Sequence, residues 1–341
     1  MSAGSPPRSL LAWLLSVPWA SITGARNLAY DTGLFTTHDS PLPTLCVGNI
    51  SLGGVGKSPL VMHLAREISA ARDFPLHGLR FGESPVAVLS RGYGRRSRGF
   101  VLVSRGEGPL VSVDQSGDES AVCARLCPGV WVAVCEDRLE GVRQLRQLGC
   151  GSVILDDGFQ HRRLKRDLDL LIWDCGRDPA SEALLPFGRL RESPLNAARA
   201  HALIFSRAGD ASLLARRLTW FRQVTDAPAW VLELQPDGLY DPMSGNPLPV
   251  PVGNWGAFCG LGNPGQFEDS LQQSVGLPVH SRHFPDHHAF STADILELQR
   301  AVKQDQLSCL VTTWKDWVRL APAHGLPVVV LGQQVRLLPL D

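Results

Sequence analysis

The run Ser51-Leu-Gly53-Gly54-Val55-Gly56-Lys57-Ser58 carries the most specific chemistry in this 341-residue chain. An apolar, strand-like segment precedes it and Pro59 follows, giving the order strand, glycine-rich loop, helix start. Glycines at 53, 54 and 56 let backbone N–H groups turn inward around an anion, and the next helix points its positive end there. A lysine so placed reaches the β- and γ-phosphates of a nucleoside triphosphate, and the Ser58 hydroxyl is a ligand for Mg²⁺. The loop departs from G-x-x-x-x-G-K-[ST] at its first position, where Ser51 replaces glycine.

Such a loop needs a carboxylate at the end of a neighbouring strand to hold the metal, and Ser152-Val-Ile-Leu-Asp156-Asp157 supplies two. Adjacent strand residues face opposite ways, so one acid suits direct coordination and the other coordination through water or the orienting of a loop. His161, Arg162, Arg163, Lys165 and Arg166 follow at once, a surface suited to an anionic substrate or headgroups. Ser90-Arg91-Gly-Tyr93-Gly-Arg95 is a second Gly- and Arg-rich segment behind a strand. Asp118 opens a helical pattern; spacing alone leaves it as a cap or as a functional acid. His287 and His288 lie in a loop between Phe284 and Phe290; lacking spaced partners they make a poor metal site, but imidazole titrates near neutral pH.

These groups need elements to position them. From residue 42 short apolar runs alternate with helical patterns, as in a mostly parallel sheet. Strands are expected at 42–47, 86–89, 130–134, 152–155, 168–173 and 202–205, with helices at 59–71, 118–126 and 138–148. Near 222–250 turn signals accumulate around a strand at 230–234, and the chain is divided there, with a short two-stranded linker. A second set follows: strands at 256–259, 309–312 and 328–331, a helix after Asn263-Pro264, and another at 292–302. The expected organisation is an N-terminal membrane-associated segment (1–35), a nucleotide-binding domain (36–225), a linker (226–250) and a smaller C-terminal α/β domain (251–341).

Composition narrows the classes. Hydrophobic residues at 44% and charged ones at 19% exclude a disordered chain, and 341 residues favour two domains. Lys+Arg and Asp+Glu both number 33, which removes any general electrostatic case for nucleic-acid binding. Eight cysteines scattered through apolar stretches read as buried, reduced thiols in a reducing compartment. The apolar run 10–22 is shorter than the ~20 residues needed to span a bilayer. A cleaved signal peptide, a core helix and an interfacial helix compete for it; the last, with Trp13 and Trp19 at headgroup depth and continuing into Arg26, Tyr30 and Phe35, is favoured.

Together these segments resemble the tetraacyldisaccharide 4'-kinase family of lipid A biosynthesis, the membrane-associated P-loop kinases. The matching stretches are 47–59, 90–95, 117–119, 154–169, 184–192, 260–264 with Phe267, 284–290 and 312–316, in family order. The block around Asp156–Asp169 is the most specific. Departures are Val55 and Ser58 for Thr, Ser120 for Pro, Phe187-Gly-Arg189 for Ala-Gly-Pro, and Trp314 for the Glu of T-T-E-K-D.

The resemblance implies an α/β fold: a P-loop, mononucleotide-binding, mostly parallel sheet flanked by helices, with a second smaller α/β domain and an N-terminal membrane-interfacial helix. It implies transfer of the γ-phosphate of ATP, with Mg²⁺, to the 4'-hydroxyl of tetraacyldisaccharide 1-phosphate, peripherally at the cytoplasmic face of the bacterial inner membrane. Asp118 and His287 become the pair that activates the hydroxyl, assembled when the two domains close. Residues 51 and 53–58 hold ATP, and Ser58, Asp156 and Asp157 the metal. Asn49, Arg91, Arg95, His161, Arg162 and Arg166 are candidates for the lipid A disaccharide precursor or for headgroups of surface lipids. Neither nucleic acid nor an obligatory protein partner is implied. The alternative is a membrane-associated P-loop ATPase switch that positions other proteins. Its loop reads K-G-G-V-G-K-[ST], but Leu52 stands at its signature first Lys.

Overall fold

The computed structural model describes residues 10–70, 85–320 and 325–340, the side chains of residues 10–16 excepted. In chain order the elements are α1 (Leu10–Asp31), β1 (Thr44–Gly48), α2 (Lys57–Ser69), β2 (Val86–Ser90), β3 (Val101–Arg105), α3 (Val113–Ser116), α4 (Asp118–Leu126), β4 (Trp131–Val134), α5 (Arg138–Gln147), β5 (Ser152–Asp156), β6 (Leu168–Asp174) and β7 (Ala202–Ser206). They continue with α6 (Ala211–Phe221), β8 (Ala229–Tyr240), β9 (Pro247–Leu248), β10 (Gly256–Cys259), α7 (Pro264–Ser274), β11 (His280–His283), α8 (Thr292–Gln304), β12 (Leu310–Thr313), α9 (Trp314–Trp317) and β13 (Val328–Leu340).

One sheet runs through the molecule in the order β11-β10-β12-β13-β8-β7-β6-β1-β5-β2-β4-β3, with β9 alongside β8. β1, β5, β6 and β7 are buried along their whole length, which is why they read as continuous apolar runs rather than alternating ones. Helix α2 covers one face with Leu60, Leu64 and Ile68, and α5 the other with Leu139, Val142 and Leu145. A third cluster gathers Trp173, Phe205 and Phe221 under α6. β1 lies between β5 and β6, all parallel, with Val47 opposite Asp156. That register carries the glycine-rich loop and the Asp156-Asp157 pair to the same carboxyl edge, where such sheets bind ligand.

In the C-terminal half Phe267 and Leu271 of α7 pack on one face and Leu298 of α8 on the other. β13 pairs in parallel with β12 through Val328–Leu331 and antiparallel with β8 through residues 330–340. β8 meets β7 only through 229–232. Between them, residues 233–236 and 333–336 pair with each other alone among the described strands, so the sheet narrows to a two-stranded ribbon, with a bulge between Leu331 and Gln333.

Several expected bounds shift. β8 and β13 run to 240 and 340 because their outer halves are polar or half-exposed and give no apolar run. The edge strands β3 and β11 lie outside the expected set; β11 is His-Ser-Arg-His, paired among the described strands only with β10. Helix α2 starts at Lys57 rather than 59, and residue 71 lies outside the described residues. α1 extends past the apolar run to Asp31 and includes Pro18. It is anchored by Trp19 Nε1 donating to the Arg191 carbonyl (3.0 Å), Asn27 to Glu192 (3.1 Å) and Arg162 to the Asn27 carbonyl (2.9 Å). The Trp13 side chain lies outside the described residues. No helix among the described residues is long and apolar enough to cross a membrane. All eight cysteines are buried and unbonded.

Candidate functional site

The loop after β1 owes its shape to glycines at positive φ: Gly53 at 110° and Gly56 at 89°. Gly56 caps α2 in the left-handed region, and a Cβ there would stand 2.9 Å from Leu232 Cδ2. Ser51 needs no such freedom. It has no positive φ, is buried, and forms a backbone bridge with Leu190, so the missing glycine leaves the loop intact. Lys57 Nζ donates to Asn49 Oδ1 (2.8 Å) and Asp157 Oδ1 (2.9 Å). Asn49, read from the sequence as facing substrate, is instead fully buried beneath the loop, where its amide positions Lys57.

The two adjacent acids do face different surroundings. Asp157, at φ 55°, accepts from Lys57 and from Arg191 Nη1 (2.8 Å). Burial raises its pKa, but Lys57 and Arg191 outweigh that and hold it below the usual carboxylate range. Asp156 shares a small recess with Ser58, Ser90, Glu119 and Ser120. Burial, then the charge of Glu119, pushes its pKa up to about 7 against the pull of Lys57. A hydroxyl and two crowded carboxylates are hard oxygen donors of the kind Mg²⁺ takes. Ser58, Asp156 and Glu119 therefore fit the ion, whose charge would offset the burial and repulsion that raise the Asp156 pKa, whereas Asp157 is committed to Lys57 and Arg191. Among the described residues no three His, Cys, Asp or Glu side chains form a dedicated metal cluster.

Beside this recess Asp118 begins α4, with Gly117 as the cap residue, so it is the first helical residue and not the cap itself. Its Oδ2 lies 3.0 Å from His287 Nδ1, accepts from Arg319, and is 4.0 Å from Lys315. Lys315 also reaches Glu119 Oε1 and His287 Nε2, both at 3.5 Å. An ammonium only donates, so Lys315 donates to His287 Nε2, while Nδ1 lies between Asp118 Oδ2 (3.0 Å) and Arg319 Nη2 (3.1 Å). Burial raises the Asp118 pKa, and Lys315, Arg319 and His287 more than reverse it, leaving the carboxyl below its ordinary value. His287 is held at φ 56°. Its neighbour His288 pairs with Asp294 (3.0 Å), stacks on Phe284 and takes no part in this cluster.

The basic candidates divide. Arg91 is exposed, and its charge is felt at Arg138 beneath the acids. Arg95 is committed to Glu136 (2.7 Å) and the Gly99 carbonyl. Arg162 grips α1 through Asp31 (2.6 Å) and Tyr30. Arg166 is buried in a pair with Asp169 (2.8 Å) and donates to the carbonyls of His161 and Leu164, leaving it a brace of the fold rather than an anion site. His161 is pushed down to about 4 by burial and then by Arg138, so it is a neutral ring near pH 7. Glu119, Arg191, Lys315 and Arg319 were not singled out from the sequence. The first three sit in the stretches 117–119, 184–192 and 312–316 that carried the resemblance, which was the available signal; Arg319 lies just beyond them.

Comparison with known proteins bears on the family and the fold. A family model described as tetraacyldisaccharide-1-P 4'-kinase matches residues 8–339. A tetraacyldisaccharide 4'-kinase of Chlorobaculum parvum is 36% identical over 88% of this chain and 81% of its own. One of Syntrophus aciditrophicus is 33% identical over 98% and 90%. Among solved structures, the "apo" form of LpxK from Aquifex aeolicus in complex with ATP superposes with a TM-score of 0.76 at 30% identity, covering 95% of this chain and 93% of that one. A family model spanning nearly the whole sequence, on a sheet that sets a phosphate loop beside paired acids, leaves one assignment: the chain belongs to the tetraacyldisaccharide-1-P 4'-kinase family.

Proposed function

We propose that this chain transfers the γ-phosphoryl group of ATP to the 4'-hydroxyl of a tetraacyldisaccharide 1-phosphate, with Asp118 receiving the hydroxyl proton. The observation that carries the roles is the Asp118–His287 contact of 3.0 Å, one residue from Glu119 at the Ser58–Asp156 recess. Ser58, Asp156 and Glu119 would hold Mg²⁺ there, and the ion would offset the charge that develops on the phosphates. Lys57, released from Asn49 and Asp157 toward the nucleotide, adds a positive charge at the same phosphates. A sugar hydroxyl has a high pKa, so its proton leaves late in the transfer, as the new P–O bond forms and the bond to ADP breaks. A carboxylate of low basicity suits that timing, and His287 keeps its second oxygen oriented.

Asp118 and Glu119 come from one side of the ribbon, and His287, Lys315 and Arg319 from the other, so the proton acceptor is complete only when both halves meet. We place the domain division at this ribbon, with residues 226–250 and β13 as the connection. Leu52, exposed where a switch-type loop carries its lysine, argues against the ATPase-switch alternative. For the membrane, the support is the exposed set Val17, Ile22, Leu28, Leu34 and Phe35 on and just after α1, which is anchored to Arg191 and Glu192 near the site. This reading places the chain peripherally on the cytoplasmic face of the inner membrane, with Arg91 and Tyr93 open to the lipid substrate.

The test is incubation of the full chain with γ-labelled ATP, Mg²⁺ and the disaccharide 1-phosphate in detergent. A labelled lipid is expected, with Asp118→Ala lowering kcat by about 10²–10⁴-fold while ATP still binds. Near-normal turnover by that variant would remove Asp118 from the chemistry.

A further inference from the structure

Arg189 is a departure from the family pattern, which carries proline at that position, and the structure sets it against the phosphate loop. Residues 189–191 run antiparallel to 50–52. Leu52 N–H donates to the Arg189 carbonyl and Arg191 N–H to the Ile50 carbonyl, both at 2.7 Å, with Ser51 bridged to Leu190 between them. On such an extended segment alternate side chains share a side. Leu190 turns into the core cluster of Trp173, while Arg191 reaches Asp157 beneath the loop (2.8 Å). Arg189 reaches the loop's tip: a Cβ built on Gly53 would find Arg189 Nη1 at 3.8 Å and Arg177 Nη2 at 4.0 Å. Gly188 permits this approach, since a Cβ there would collide with the carbonyl oxygen of Ala183.

The cations around the loop differ in what answers them. Lys57 and Arg191 both meet Asp157. Arg177 meets Asp174 (3.5 Å) and Glu182 (3.3 Å), and Arg207 donates to Asp174 (2.6 Å) and to the Gly54 carbonyl (2.7 Å). Arg189 is exposed, and among the described residues its side chain has neither an ion pair nor a hydrogen bond. A guanidinium is permanently charged, and its planar fork of donors matches phosphate oxygens. Gly53 belongs to the stretch whose N–H groups cradle phosphate, four residues before Lys57. Phosphoryl transfer spreads charge over the oxygens of the migrating group, so a fixed cation at that point acts on the reaction itself.

We propose that Arg189 is a further catalytic residue of this chain, an arginine finger carried in cis that donates to the γ-phosphoryl group as it moves from ATP to the sugar hydroxyl. The proposal rests on the kinase reading above and adds to it a residue absent from the family pattern. The new P–O bond forms to the sugar oxygen, the bond to ADP breaks, and the hydroxyl proton goes to Asp118. Arg189 keeps its own protons throughout.

Steady-state kinetics and nucleotide binding by variants of the full chain test it. Arg189→Pro restores the family residue and suits the fold, because the Arg189 N–H donates to nothing among the described residues. Arg189→Pro and Arg189→Ala should each lower kcat about 10–100-fold, the size of one charge-assisted hydrogen bond, with KM for the lipid and Kd for Mg·ADP unchanged. Both should weaken Mg·ADP with aluminium fluoride, a mimic of the group in transfer, by a similar factor. Arg189→Lys keeps a charge without the fork and should fall between. Added guanidinium ion should return part of the kcat of Arg189→Ala and none of that of Asp118→Ala. Unchanged kcat in Arg189→Pro and Arg189→Ala overturns the proposal. So does a rise in lipid KM alone, which would assign Arg189 to the acceptor's own phosphate. Absence of transfer by the unaltered chain is the separate result that overturns the kinase reading, and this proposal with it.

Discussion

Asp156 and Asp157 are one peptide bond apart and electrostatically opposite. Asp157 is answered by Lys57 and Arg191; Asp156 faces Glu119 and is pushed up to about 7. An unfolded carboxyl titrates near 4. Between about 4 and about 7 the folded chain therefore holds a proton that the unfolded chain releases, and metal-free stability declines as pH rises across that window. Asp156→Asn should flatten that decline and raise Tm by a few degrees at pH 7.5 in EDTA, while losing the stabilisation that Mg·ATP gives the unaltered chain. Thermal melts across pH with and without Mg·ATP measure both. Asp118 has the opposite sign: its depressed pKa contributes stability above the ordinary carboxylate range, lost as pH falls through the folded value. Arg319→Ala removes one of the cations responsible, so the acidic limb of the kcat/KM profile should move to higher pH; an unmoved limb would detach Arg319 from Asp118. The motif stretches made Asp118 and His287 legible as candidates. Arg319 was not, since nothing in local spacing ties it to a carboxylate 201 residues away. The roles of Asn49 and Arg166 were also hidden, because an amide or guanidinium beside a motif reads the same whether it meets a ligand or braces the loop.

At the scale of elements, the buried parallel strands were legible because burial on both faces leaves continuous apolar runs, and α2 because a phosphate loop must end in a helix. The strands β3, β11 and the outer halves of β8 and β13 were not; their order comes from pairing along an edge or ribbon, which leaves no hydrophobic record. α1 is a mixed case: its apolar run was visible, its anchorage by Asn27 and Arg162 was not. Its exposed apolar side chains give a direct expectation. Removing residues 1–24, or replacing Ile22 and Leu28 by serine in the full chain, should lower co-sedimentation with anionic liposomes by several-fold and leave ATP affinity in solution intact. Equal partitioning before and after would set aside the interfacial role.

For the molecule as a whole, the single sheet makes the halves one structure joined through a ribbon only two strands wide. A continuous sheet sets which side chains face each other across the waist, and under the proposed closure the narrow ribbon is where the halves would hinge. β13 fills the place between β12 and β8, so a chain halted at residue 327 should lose the Asp118–His287 contact and become sensitive to protease on both sides of the waist. Limited proteolysis, read by mass spectrometry, would show this; a shortened chain as resistant as the full one would mean that the halves dock without the ribbon. The order of synthesis follows from the same arrangement. The ribosome makes the seam after both of the pieces it stitches, so throughout translation two bare strand edges wait in the cell for the segment that unites them, and that interval is when a chaperone or a wrong neighbour has its chance.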